Sequence, residues 1–193
     1  MDSKDIRALV MAKKIAGGSG GGNKDLEDFL TKATVVLKSN SSDINHVKCA
    51  DFTNLVEVDL PNITGLPTDF FYRCGKLEKV NMPKLVELNT SCFKSCVSLK
   101  TADFLSVRSI KNDAFSTCTS LKTVILRYSE HMVSLANARA FNNTGFTNAR
   151  YGPGTLYVPQ ALISDYQEDS TWGSVIYELS GNQILSIEGS PYE

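Results

Sequence analysis

Apolar residues recur along the middle of the chain with a spacing that no single helix or hairpin would need. Leu55, Leu77, Leu99 and Leu121 form one column at 22-residue intervals, and Val58, Val80, Ala102 and Val124 form a second. Leu60, Met82, Phe104 and Leu126 form a third, Phe71, Phe93 and Phe115 a fourth, and Cys74, Cys96 and Cys118 a fifth, three residues behind each Phe. A fixed period of this length marks a solenoid, in which each unit buries its apolar flank only by stacking on the next. Within a unit, Leu-x-x-Val-x-Leu alternates with period two and reads as a strand. Pro61 and Pro83 follow and end the ladder, because proline has no N–H to donate. The strands of successive units are therefore expected to lie parallel, about 4.8 Å apart.

Two substitutions agree with this register. In the first regular unit the aromatic and the thiol exchange places, as Cys49 and Phe52. In the third strand Ala102 is small beside its Val neighbours while Phe104 is large beside Leu and Met, so the volume of the layer is kept. Regular units span 49–70, 71–92, 93–114 and 115–140. The period then slips: Phe141 follows Phe115 by 26 residues, and Thr144 stands where a thiol is expected. "TLYVP" up to Pro159 reads as a last strand of a repeat region that spans 49–159.

The flanks divide further. Residues 1–16 carry Ile6, Leu9 and Val10 at helical spacing and predict a short amphipathic helix. Residues 17–23 contain "GGSGGG", a flexible tether. Residues 24–48 predict a helical N-terminal cap over 24–32 followed by a degenerate unit, with Val36 placed 22 residues before Val58. Residues 160–193 predict a C-terminal cap: a short helix at 160–168 carrying Ala161, Leu162 and Tyr166, then Trp172, Ile184 and Ile187 buried against the last turn.

Composition narrows the functional classes. The formal net charge is −1 and no basic run occurs, so there is no electrostatic footprint for nucleic acid. No apolar run is long enough to span a bilayer, and the lysines and arginine spread through the first residues leave no signal-peptide core. Five cysteines occur without a Cys-x-x-Cys pair, and the column cysteines read as small buried hydrophobes rather than ligands. The Gly run lacks the Gly-Lys-Ser/Thr ending of a phosphate loop. His46 with Cys49 would need a third, orienting group for catalysis, and Cys49 belongs to a packed column; His131 lies in the slipped repeat, where a surface loop is the default. Asp59, Asn81 and Asp103 share one column, but Ile125 ends it, which argues against a cation site. Asn40, Asn62, Asn89 and Asn142 begin Asn-x-Ser/Thr sequons that a Ser- and Asn-rich repeat generates readily; none is read as modified. What remains is the outward face of the strands: Glu57 and Asp59, Lys79 and Asn81, Thr101 and Asp103, Thr123 and Ile125. These are the candidate binding residues, together with the loop region 128–150.

The unit Phe-x-x-Cys-x-x-Leu-x-x-Val-x-Leu-Pro resembles the BspA-type leucine-rich repeat, and the "YVP" strand, short helix and Trp resemble the closing section of such proteins in gut Firmicutes and their prophages. The resemblance implies a right-handed leucine-rich-repeat solenoid with a helical N-cap and a strand-helix C-cap. It also implies a non-catalytic role in adhesion or in binding a protein or glycan, without cofactor, metal, nucleic acid or membrane insertion. The alternative it leaves open is an accessory structural protein of a phage-like particle, docked through the 1–16 helix.

Overall fold

Each Leu-x-x-Val-x-Leu segment can hide its apolar side only if the coil before and the coil after present the same side, and the molecule is built that way. The computed structural model describes residues 36–42, 44, 49–145, 147, 154–177 and 183–193. The helices expected over 1–16 and 24–32 and the tether at 17–23 lie outside the described residues. The strands are β1 (Val36–Lys38), β2 (Glu57–Asp59), β3 (Lys79–Asn81), β4 (Glu87–Leu88), β5 (Thr101–Phe104), β6 (Ser109–Ile110), β7 (Thr123–Leu126), β8 (Ser134–Leu135), β9 (Thr155–Val158) and β10 (Gln183–Ser186). Two helices, α1 (Ile163–Glu168) and α2 (Ser170–Tyr177), separate β9 from β10.

The strands pair in parallel throughout and stack on two sides of the coil. The front carries two sheets, ordered β1-β2-β3 and β10-β9-β7-β5. A lateral sheet, β4-β6-β8, is built from two-residue strands, the first two of which end on the buried Leu88 and Ile110. The front divides between β3 and β5. That is where Ala102 and Phe104 exchange volume across the layer: the Phe104 ring lies 6.3 Å from Phe93 and 6.1 Å from Phe115.

The third side is a ladder of turns around Phe-x-x-Cys. Phe71, Phe93 and Phe115 donate their N–H groups to Cys92, Ala114 and Ala140 at 2.8, 2.9 and 2.8 Å. Arg73, Ser95 and Thr117 donate to Lys94, Ser116 and Asn142, each at 2.8 Å. The last three hold left-handed backbone, with φ of 61°, 65° and 65°. That conformation costs a non-glycine residue roughly 1–2 kcal/mol, offset here by a buried-side hydrogen bond to the neighbouring coil.

Behind this ladder the rings stack. Phe71–Phe93, Phe93–Phe115 and Phe115–Phe141 have centroids 5.3, 5.6 and 5.4 Å apart and planes within 18° of parallel. The 26-residue step to Phe141 is thus absorbed outside the stack. Part of the surplus folds into a 3-10 turn, Ala138–Phe141, capped by Asn137, whose Oδ1 accepts the Arg139 N–H at 2.9 Å. The returning chain then passes so close to the fourth coil that a Cβ on Gly145 would sit 2.8 Å from the carbonyl oxygens of Thr119 and Leu121.

The thiols form a ladder of their own. Cys74, Cys96 and Cys118 donate Sγ–H to the carbonyls of Cys49, Phe71 and Phe93, at 3.0, 3.2 and 3.0 Å, each reaching into the preceding coil. Thr144 breaks this rule: its Oγ1 bonds the carbonyl of its own Phe141 at 2.9 Å. All five cysteines are free and buried. Burial pushes the Cys74 thiol up to about 12 and raises Cys92 and Cys96 as well. Because the thiolate is the reactive form, native protein at pH 8 is expected to show no rapid reaction with an aromatic disulfide reagent. Five thiols should react after denaturation. One or more thiols titrating at the rate of free cysteine in native protein would contradict this packing.

The first strand departs from expectation by one residue. Val36 pairs with Glu57 and Leu37 with Val58, so Leu37 is the inward residue and Val36 is half-buried. At the other end, residues 160–177 are helical over more of their length than expected, with a 3-10 turn at Gln160–Leu162 leading into α1 and then α2. Leu162, Tyr166, Trp172 and Ile187 are buried and Ile184 is half-buried against the core, whereas Ala161 is exposed.

Candidate binding surface

Because inward and outward side chains alternate along a strand, burying Val58, Val124 and their column necessarily turns the flanking residues to the front. The register makes two outward columns. One runs Glu57, Lys79 on the first sheet and Thr101, Thr123, Thr155, Gln183 on the second. The other runs Lys38, Asp59, Asn81 and then Asp103, Ile125, Tyr157, Leu185. Lys79, Asn81 and Asp103 are exposed, and Glu57, Asp59, Thr101 and Thr123 are half-buried.

Most of the charge on this face is tied from coil to coil. Lys38 Nζ lies 2.8 Å from Glu57 Oε1. That hydrogen bond, and then the lysine's charge, hold the Glu57 carboxyl below the usual range. Asn81 Nδ2 donates to Asp59 Oδ1 at 2.8 Å. Arg127 grips Asp103 with two bonds, Nε to Oδ1 at 2.7 Å and Nη2 to Oδ2 at 2.9 Å, the fork geometry that makes such pairs directional. The Asp59–Asn81–Asp103 column is therefore committed to amide and guanidinium partners. Among the described residues no group of three His, Cys, Asp or Glu side chains is placed to hold a metal ion.

Ile125 does not belong to the accessible face. It is fully buried although it lies outside the core cluster. It sits in register between Asp103 and Tyr157, and Arg127, two residues on and on the same side, reaches back past it to Asp103. Tyr157 is itself packed edge-on against Tyr192, with centroids 4.9 Å apart. The front thus changes character along the stack, from polar on β2 and β3 to aliphatic and aromatic on β7, β9 and β10. Lys38, Arg127, Tyr157 and Leu185 are surface residues that sequence reasoning passed over. Arg127 stands in the column of Pro61 and Pro83, which reads as the end of the strand ladder, and the other three become visible only once the irregular first and last registers are known.

The described part of the 128–150 region exposes Ser129, Glu130, His131, Arg139 and Asn142 between buried anchors. Tyr128 lies beneath the Arg108 guanidinium, 4.8 Å from its ring centroid, and edge-on to His131 at 4.9 Å, with its hydroxyl bonded to Glu130 at 2.7 Å. Val133 and Phe141 are buried. His46 lies outside the described residues, and Cys49 is fully buried. Of the sequon asparagines, Asn62 bonds the Asn40 carbonyl and receives Lys84, and Asn89 bonds the Leu66 carbonyl, so both serve as links between coils.

Among the described residues no helix is long and apolar enough to cross a membrane. No curated protein matches the sequence. A solved structure that the chain resembles is a leucine-rich repeat protein from Bacteroides ovatus, with 20% sequence identity and a TM-score of 0.50 over 78% of this chain. The chain spans 35% of that protein's length, and the likeness shows the fold. The model of the BspA-type leucine-rich repeat region matches residues 33–165 in six copies, a stretch that contains β1 to β9. With parallel strands, a Phe-x-x-Cys turn ladder and this match, the chain belongs to the BspA-type leucine-rich repeat family.

Proposed function

We propose that this chain is a binding or adhesion module whose front face contacts a protein or a glycan. The observation that carries the reading is the coil-to-coil bonding of the outward side chains. Lys38–Glu57, Asn81–Asp59 and Arg127–Asp103 hold polar groups in fixed geometry on a rigid ladder. Groups ordered before contact lose less freedom on binding, which favours affinity from a shallow surface. Lys79, exposed in register with Glu57 and close enough for its charge to act on that carboxylate, adds a cation to the same face.

The test is a replacement of Glu57, Lys79, Asp103 and Thr123 by Ala in one variant, probed on an array of purified glycans and an array of purified proteins. The variant is expected to lose at least tenfold in affinity for whichever probe the wild type retains, with far-UV circular dichroism unchanged. A matching variant of the lateral sheet, at Glu87, Ser109 and Lys111, should bind as the wild type does. Loss confined to the lateral variant, or no probe retained by the wild type at micromolar concentration, would overturn the assignment of the front face.

A further inference from the structure

The second front sheet ends on β10, and among the described residues no strand pairs with the outer edge of that strand. Gln183 donates to Gly154 and Ile187 to Val158, at 3.2 and 3.0 Å. Alternation along a ladder therefore turns the N–H and C=O groups of Gln183, Leu185 and Ile187 toward β9, and those of Ile184 and Ser186 outward. Among the described residues these outward groups have no partner. Edge strands are usually protected by lysine, proline or a bulge. β10 reads Gln-Ile-Leu-Ser and has none of them. Leu185 stands on its front side with 38% of its surface exposed. Beyond β10 the described residues turn back to place Tyr192 on Tyr157.

We infer that the β10 edge is a self-association site, at which two copies of this chain pair their Gln183–Ser186 strands antiparallel about a two-fold axis. The strand is built to meet itself. With Ile184 opposite the partner's Ser186, and the reverse, each outward residue exchanges two N–H···O bonds with its counterpart. Leu185 then falls opposite the partner's Leu185 in the close, non-hydrogen-bonded position, where side chains touch. No charged residue lies on the strand, so the edge meets its copy without like-charge repulsion. The nearest carboxylate in sequence, Glu188, is already engaged by the Ser186 hydroxyl and the Gln160 N–H. The axis runs perpendicular to the sheet, so both front faces look the same way. The pair would present a continuous eight-stranded sheet made from two four-stranded ones. This goes beyond the binding role proposed above and does not depend on it.

The interface is small, so association is expected to be weak and concentration-dependent. Sedimentation equilibrium of the full chain, from about 5 to about 500 µM, should show the mean mass rising from one chain toward two. Leu185→Lys places two like charges opposite each other, and Ile184→Pro removes an outward N–H that nothing inside the fold uses. Each should weaken the dimer at least tenfold; Leu185→Lys should do so with circular dichroism and thermal midpoint those of the wild type, whereas Ile184→Pro, which also removes packing against the core, should keep the circular dichroism at a lower midpoint. A mass of one chain at every concentration overturns the proposal. So does dimerisation that survives both substitutions, or growth past two chains, which the closed two-fold pairing forbids.

Discussion

Phe93→Ala is expected to cost about 3–5 kcal/mol, the range for removing a fully buried aromatic ring from a core that cannot collapse around the gap. Phe93 has no exposed surface, and its ring is stacked on both sides, 5.3 Å from Phe71 and 5.6 Å from Phe115, with Phe104 closing a third side at 6.3 Å. Three ring contacts go at once, each worth about 0.5–1.5 kcal/mol beyond the buried area. In a stacked array the coil also carries its neighbours, because stability is the sum of coil and interface terms. Urea unfolding followed by circular dichroism would read the change. A shift below about 1 kcal/mol would mean that the ring is not where the stack needs it. Phe93→Leu keeps most of the volume and should cost less than half as much.

Position in the chain suggests that Phe141, the last ring of the Phe column, would matter less than Phe93. The structure removes that difference. Phe141 is fully buried, stacked 5.4 Å from Phe115 on one side and covered by Trp172 at 5.8 Å on the other. The C-terminal helices have replaced the missing coil.

What could be read from the residues follows from repetition. Each inward position is stated three or four times in the sequence, so one irregular residue, such as Ala102, is outvoted by its column. The outer face was read from the same pattern, and the placement of Glu57, Lys79, Thr101 and Thr123 in line follows from it. The pattern fails where it is stated once. Val35, Val36 and Leu37 form an unbroken apolar run with no alternation to mark the inward residue, and the reading fell one residue short of Leu37. The lateral strands are two residues long, too short to show a period. From β7 to β9 the step from Thr123 to Thr155 is no longer the repeat length, so the sequence does not align Ile125 with Tyr157 or foretell that Ile125 is covered. The ion pairs Lys38–Glu57 and Asp103–Arg127 depend on rotamers as well as register, and no spacing rule yields them.

The same loss of period sets up the second large effect. Where the repeat slips, the chain from Tyr128 to Ser134 must cross from the front to the lateral sheet without a repeat to template it. Its central peptide groups are clamped from the C-terminal cap instead. Tyr166 accepts the Val133 N–H at 2.9 Å, and Trp172 Nε1 donates to the Val133 carbonyl at 2.8 Å, both in buried surroundings. Trp172 is positioned for this by Asp169, whose Oδ1 accepts the N–H groups of Thr171 and Trp172 at 2.9 and 2.8 Å and caps α2. Trp172→Ala should therefore cost about 3–5 kcal/mol through lost packing on Phe141 and Tyr166 and leave a buried carbonyl unpaired, a further penalty of about 1–3 kcal/mol. Trp172→Phe separates the two terms: it keeps a ring against Phe141 and removes only the donor, so its cost should fall near the smaller figure. Hydrogen exchange gives the local readout. In the Phe variant protection should drop at Val133 and Ser134 while the Phe71–Phe115 stack keeps its own, because the clamp belongs to the slipped coil and the stack to the regular ones. Uniform loss of protection along the whole array, or none at Val133, would show that the cap does not hold this crossing and that the irregular coil is ordered by some other contact.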